Sequence, residues 1–172
     1  YSRTLLLAAA KAPTLEVMGR FAALANSTLG TEIALHRDYS ARFGIRGKEL
    51  EETRPAPTTQ GYVNFLLRTA YDGSFAQLAC ALLPCMWGYC EIGMNLRSQG
   101  MPVGQPLYVE WIAMYSSEEF QNLAQWLRQI VDGLAKGATE AERQHMETAY
   151  GTSTRYEYAF WDMAWNLEEW KG

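Results

Sequence analysis

The sequence has little excess positive charge and no long apolar run, and each shortage excludes a class of protein. Its 15 Lys and Arg residues against 19 Asp and Glu residues give a net charge of −4, and the basic residues are scattered. We therefore expect no nucleic acid and no anionic membrane as main partner. The most apolar stretch, Phe75 to Gly93, is interrupted by polar residues and a proline. No run is expected to reach the roughly 20 apolar residues of a membrane span.

Metal and phosphate motifs are also missing. The two histidines, His36 and His145, are far apart in the chain, and no HExxH, GxSxG or glycine-rich phosphate loop occurs. No metal site is predicted. The opening segment SRTLLLAAAKA lacks the charged region and the cleavage site of a secretory signal. Its composition is typical of the interior of a helix rather than of a helix start. We expect the natural protein to carry a further segment ahead of Tyr1.

Only three cysteines are present, and an odd number does not suit a disulfide framework. Cys80, Cys85 and Cys90 lie five residues apart along one predicted helix. Successive side chains there point about 140° apart with Cα atoms separated by roughly 8–9 Å, too far for a disulfide or a shared metal. We expect three separate thiols in a reducing compartment, the cytoplasm.

Regular helical punctuation dominates the chain, and no strand pattern competes with it. After a Thr14 cap, apolar residues recur at three- and four-residue spacing as far as Phe43, with Gly44 as the stop. The other predicted helices cover residues 2–12, 58–72, 74–98, 107–115, 116–136, 139 onward and 154–170, with a helical turn at 48–52 inside the loop 46–57. Pro84 is expected to kink the helix that contains it. The pattern predicts an all-α, single-domain helical bundle over residues 1–172.

Cys85 is the candidate nucleophile. It directly follows Pro84, and Tyr89 lies one turn later on the same face. A thiol at a kink can be partly ionised by a neighbouring hydroxyl or base, which makes it reactive. The alternative, a small buried core residue, is common for cysteine and stays open. For Cys80 and Cys90 that alternative is preferred.

Glu157 is the candidate acid. It stands among Tyr156, Tyr158 and Phe160, and an aromatic environment can raise the pKa of a carboxyl group. Two alternatives stay open, because Glu157 could complete a capping box with Thr154 or could point to solvent.

Three tyrosines on three predicted helices could form an aromatic slot for a flat heteroaromatic ring. They are Tyr62, Tyr89 and Tyr115. Each could equally be an ordinary core or boundary tyrosine.

Four motifs occur together in one order. They are PAPTTQGYVNFL, ALLPCMWGYCEIG, WIAMY and the terminal YEYAFWDMA. In this combination the chain resembles the TenA/thiaminase II family over essentially its whole length, and Cys85 places the resemblance in the cysteine-bearing branch.

The resemblance implies an all-helical, haem-oxygenase-like fold, usually a homotetramer, that hydrolyses a C–N bond at the methylene carbon of a 4-amino-2-methylpyrimidine. Family members release 4-amino-5-hydroxymethyl-2-methylpyrimidine from the 5-aminomethyl pyrimidine, a salvage product of thiamin, and more slowly from thiamin itself. The resemblance implies no metal or organic cofactor. By the same resemblance, Cys85 matches the family's nucleophile and Glu157 matches the acid that protonates a ring nitrogen. Tyr1 matches a tyrosine that increases the nucleophilicity of the cysteine. The positions that match substrate-binding residues are Tyr62, Tyr89, Tyr115 and Phe160.

One departure concerns the N terminus. The family's substrate-gripping aspartate lies three residues before the position of Tyr1, and its first helix lies there too, so we expect both in the segment ahead of Tyr1. Two other functions stay open. One is a related hydrolase acting on another amine or heterocycle, and the other is a non-catalytic pyrimidine- or haem-binding or regulatory module on the same fold.

Overall fold

A computed structural model describes residues 1–45 and 47–171. Within these residues the secondary structure is helical and no strand occurs, which confirms the all-α prediction. The helices are α1 (Ser2–Lys11), α2 (Leu15–Ser27), a π-helical turn (Thr28–Glu32), α3 (Ile33–Arg42), α4 (Lys48–Glu52), α5 (Pro57–Asp72), α6 (Phe75–Gln99), α7 (Pro106–Tyr115), α8 (Glu118–Gly137) and α9 (Glu140–Asn166).

Local chemistry sets the helix ends in the first part of the chain, as the sequence predicts. The Thr14 side chain accepts a hydrogen bond from the Val17 amide at 3.2 Å and caps α2. Helix α2 continues through the π-helical turn into α3, and Gly44 beyond it has a φ of 89°, which favours glycine. The predicted turn at Lys48–Glu52 is α4, whereas Arg46 in the same loop lies outside the described residues.

Two predicted boundaries in the second part are wrong. The predicted start of α8 at residue 116 is too early, because its N-cap is Ser117, whose hydroxyl accepts a hydrogen bond from the Phe120 amide at 3.2 Å. The hydroxyl of Ser116 donates to the Ile112 carbonyl of α7 at 2.6 Å. The last helix does not begin at Thr154, because α9 runs unbroken from Glu140 to Asn166. The Thr154 hydroxyl donates to the Tyr150 carbonyl at 2.9 Å, a bond made inside a helix rather than at its start.

The described chain forms two compact units. The first comprises residues 1–75 and 158 onward, and the second comprises residues 76–157. In the first unit α1 packs on α2 and α5, with Leu5 and Phe21 fully buried and the Phe21 ring edge-on to Phe75 at 5.8 Å. In the second unit the fully buried side chains include Leu78 and Leu82 of α6.

Helix α6 corrects one expectation about membranes. By length and composition it could cross a membrane, and it is the one helix of the described chain that could. Half of its most apolar segment is buried inside the fold, because α6 supplies core residues such as Leu78 and Leu82. A core helix passes the same test, so the finding is weak evidence for a membrane span.

Candidate active site

The three thiols of α6 differ in burial. Cys80 and Cys90 are buried, whereas Cys85 is partly exposed, and no disulfide joins any of these three residues. Burial raises the pKa of the Cys80 thiol to about 12, and burial together with the charge of Glu91 raises the pKa of Cys90. A buried thiol with a raised pKa is a poor nucleophile at neutral pH. Of the three, Cys85 is therefore the most accessible to solvent.

Aromatic rings surround the next turn of α6 within the second unit. The Tyr89 ring lies 4.9 Å from that of Tyr115 and 5.9 Å from that of Trp111, measured between centroids. Trp111 and Tyr115 are 4.5 Å apart, and Phe120 meets Tyr115 edge-on at 5.0 Å. The structure thus brings together two of the predicted substrate-binding tyrosines, Tyr89 and Tyr115, from different helices. Such a cluster offers flat apolar surface to a heteroaromatic ring.

Two members of this aromatic cluster, Trp111 and Phe120, were not among the predicted site residues. Trp111 stands in the WIAMY motif one turn before Tyr115, so helical spacing could have revealed it. Phe120 is in the first turn of α8, and only two residues connect α7 to α8. So short a connection holds the start of α8 close to the end of α7, and it is the signal that could have indicated Phe120.

A close approach of backbones holds Tyr115 against α6. A Cβ atom added to Gly93 would lie 2.8 Å from the Tyr115 carbonyl carbon and 2.9 Å from its Cβ, so a larger residue does not fit. Nη1 of Arg97, also on α6, donates to the Ser116 carbonyl at 3.3 Å, and Nε2 of Gln121 donates to the same oxygen at 3.0 Å. These contacts fix the end of α7 and with it the buried Tyr115 ring.

Glu157 lies in the interior of α9 and is half-buried. Because the helix does not begin at Thr154, the capping alternative for Glu157 is wrong. The alternative of a side chain turned fully to solvent also disagrees with its partial burial. One turn earlier on α9, the buried Ser153 hydroxyl donates to the Ala81 carbonyl of α6 at 2.6 Å. A polar contact between α9 and α6 is thus made one turn before Glu157.

The other three predicted site residues belong to the first unit. Tyr1 caps the start of α1, is half-buried and has a buried hydroxyl oxygen. Tyr62 is buried on α5, which packs against α1. Phe160 on α9 is half-buried, and the Thr59 hydroxyl of α5 contacts the Met163 sulfur at 3.2 Å. That contact lies one turn from both Tyr62 and Phe160, so the two rings sit on contacting stretches of α5 and α9.

Residues 1–167 match the model of the TENA/THI-4/PQQC family. The chain belongs to this family. An aminopyrimidine aminohydrolase from Halalkalibacterium halodurans is 42% identical over 170 residues, 99% of this chain and 76% of the relative. A protein of the same name from Bacillus subtilis is 36% identical over 94% of this chain and 68% of the relative. A solved TenA homologue from P. horikoshii OT3 has a TM-score of 0.84 at 28% identity, covering 96% of this chain and 75% of that one.

Membership in the TENA/THI-4/PQQC family confirms the predicted resemblance, and the likeness to the solved TenA homologue confirms the predicted helical fold. The shared name of the two relatives confirms the predicted class of enzyme, a hydrolase. The roles of the individual residues stay predictions.

Proposed function

We propose that this chain is an aminopyrimidine aminohydrolase of thiamin salvage. It converts 4-amino-5-aminomethyl-2-methylpyrimidine and water into 4-amino-5-hydroxymethyl-2-methylpyrimidine and ammonia, and it hydrolyses thiamin more slowly. The names of the relatives at 42% and 36% identity support this choice of substrate. The observation that carries the proposal is the partial exposure of Cys85, in contrast to the two buried cysteines, one turn from a cluster of aromatic rings.

Covalent catalysis by Cys85 divides one difficult displacement into easier steps. Glu157 protonates a nitrogen of the pyrimidine ring, and the Cys85 thiolate adds to a ring carbon. The amine, protonated as an ammonium group, is then expelled from the exocyclic methylene carbon as ammonia by an electron pair of the ring. Water adds to that methylene carbon and releases one proton to solvent. The C–S bond breaks to restore the thiolate, and the ring nitrogen returns its proton to Glu157.

Aromatic side chains hold the substrate ring in this proposal. Tyr89 and Tyr115, which lie in contact, provide one face. Family membership supports Tyr62 and Phe160 as further substrate-binding residues. Stacking of a flat ring on aromatic faces is favourable and orients the ring. Family membership supports Tyr1 as a residue that increases the nucleophilicity of the cysteine.

The test is ammonia release from the aminomethyl pyrimidine by the full-length protein and by two cysteine variants. Cys85→Ser should abolish turnover because a serine hydroxyl is a far weaker nucleophile, and wild type should show a protein–pyrimidine adduct by mass spectrometry. Cys80→Ala is the matched control, since Cys80 lies on the same helix with a pKa of about 12, and it should keep the wild-type kcat. Equal rates for Cys85→Ser and wild type would exclude the mechanism. A wild-type protein that binds the pyrimidine tightly without consuming it would favour the binding-module alternative.

We also propose a cellular compartment, a type of partner and an oligomeric state for this protein. The thiols of α6 suit a reducing cytoplasm, and the net charge of −4 suits a small-molecule partner rather than nucleic acid or an anionic membrane. The working unit is a homotetramer.

A further inference from the structure

One buried hydrogen bond joins the two helices that carry the proposed nucleophile and acid. The Ser153 hydroxyl on α9 donates to the Ala81 carbonyl on α6 at 2.6 Å, and both residues are 0% exposed. The two residues are 72 positions apart in the sequence, so the bond is a tertiary contact within the second unit. Burial excludes competing water, which strengthens the bond and makes its loss costly.

The position of this bond relates directly to both proposed reacting groups. Cys85 follows Ala81 by one helical turn on α6, and Glu157 follows Ser153 by one helical turn on α9. Four residues of α-helix rise about 6 Å, so each reacting residue lies only one rigid helical turn from the Ser153–Ala81 hydrogen bond. The bond therefore limits how far Cys85 and Glu157 can shift relative to one another.

Pro84 weakens the turn of α6 that precedes Cys85, and the Ser153 bond lies next to the weakened position. It lies inside α6 and has no amide hydrogen, so the carbonyl one turn earlier, that of Cys80, loses its helical donor. A turn that has lost a helical hydrogen bond is easier to deform. The Ser153 hydroxyl binds the adjacent carbonyl, that of Ala81, which in a regular helix is the acceptor for the Cys85 amide.

We propose that Ser153 is a positioning residue for the reaction, which holds the turn of α6 that carries Cys85 against the helix that carries Glu157. This inference rests on the proposed function. Ser153 does not touch the substrate; it acts through the backbone of α6. Its loss should slow the chemical step while leaving the aromatic contacts that bind the substrate in place.

The test compares Ser153→Ala with wild type in steady-state hydrolysis of the aminomethyl pyrimidine, at a temperature where circular dichroism shows both proteins folded. We expect kcat to fall about 10- to 100-fold with KM changed less than about threefold, because a small misplacement of reacting groups has effects of that size. Ser153→Cys, with a similar volume and a weaker donor, should recover part of kcat and separates the hydrogen bond from packing. Thr28→Val is the matched control, since the buried Thr28 hydroxyl donates to the carbonyl of Leu24, four residues earlier on its own helix, rather than to another helix. It should keep the wild-type kcat.

The outcomes separate the two proposals. A wild type without turnover overturns the proposed function and this inference with it. If wild type is active, an unchanged kcat in Ser153→Ala overturns the inference alone, and so does a kcat loss of the same size in Thr28→Val. If Ser153→Ala does not fold, Ser153→Cys is compared with wild type, and an equal kcat overturns the inference.

Discussion

At the scale of single residues, burial distinguishes three chemically identical thiols. The sequence makes Cys85 the candidate nucleophile because it follows Pro84, and the structure leaves it partly exposed. Its reactivity stays a prediction. For Glu157 the sequence left three alternatives. Only the continuous course of α9 removes the capping alternative, because local patterns cannot show whether a helix has already begun.

Alkylation tests the difference between the thiols without a substrate. With iodoacetamide on the folded protein at pH 8, Cys85 should be modified well before Cys80, because burial raises the pKa of Cys80 to about 12 and leaves almost no thiolate. The rate at Cys80 should increase as the pH rises towards that value. Tandem mass spectrometry assigns the sites, and the same reaction in denaturant, where all three should react, serves as control. Equal rates in the folded protein would contradict the assignment.

Glu157→Gln should lower kcat by about 10²–10⁴-fold, the usual contribution of general acid catalysis. Glutamine keeps the size of the side chain but cannot deliver the proton. Glu147→Gln is the control, because Glu147 is exposed on the same helix, and its kcat should equal that of wild type. The measurement is ammonia release at saturating substrate. A Glu157→Gln enzyme as fast as wild type would remove Glu157 from the mechanism.

At the scale of helices, ends with a local capping residue are predictable, whereas a continuous α9 is not. The run Gly151 to Thr154 contains weak helix formers, so the sequence indicates a break there. In the structure the hydroxyl of Ser153 bonds Ala81 of another helix, and that of Thr154 bonds the preceding turn. Tertiary contact thus overrides local propensity, and single-sequence reasoning has no access to it.

Gly93→Ala tests the close approach of α6 and α7. A Cβ atom there would lie 2.8 Å from the backbone of Tyr115, so we expect a loss of about 1–3 kcal/mol in unfolding free energy, typical of overpacking. KM should rise as well, since Tyr115 must move. Denaturant unfolding and steady-state kinetics measure the two effects.

Gly133→Ala on α8 is the comparison for Gly93→Ala. No atom lies within 4 Å of its added Cβ, so it should stabilise the protein by about 0.5–1 kcal/mol through helix propensity. If both substitutions changed stability in the same direction and by the same amount, close packing at Gly93 would not be the cause.

At the scale of the whole molecule, helix periodicity was sufficient for the fold class, and four ordered motifs were sufficient for the family. The likeness to a solved TenA homologue, with a TM-score of 0.84, agrees with both. The contact of Tyr89 with Trp111 and that of Tyr115 with Phe120 depend on how three helices pack rather than on any one of them, so the sequence does not show these contacts. Side chains that meet across helices carry no local signature.

The assembly is open to a direct measurement. Light scattering coupled to size-exclusion chromatography should give a mass four times that of one chain, because we propose a homotetramer. Large apolar side chains such as Leu15, Trp165 and Leu167 are 82–87% exposed in the single chain. The mass should not change over a tenfold dilution. A mass equal to one chain would contradict the proposal.

The π-helical turn between α2 and α3 gives the chain a tolerance to changes in length. A π turn holds one residue more than an α turn, so removal of one residue can be absorbed without breaking the helix. Deleting Gly30, whose Cβ position is open, should restore regular α-helix and change the direction of the following residues only slightly, because a π turn accommodates its extra residue locally. Helix α3 buries none of its ten residues, so a small change there disturbs no core contact of its own. Natural variants of this protein that differ by one residue in length are therefore expected at Thr28–Glu32 before any other point in the long helix.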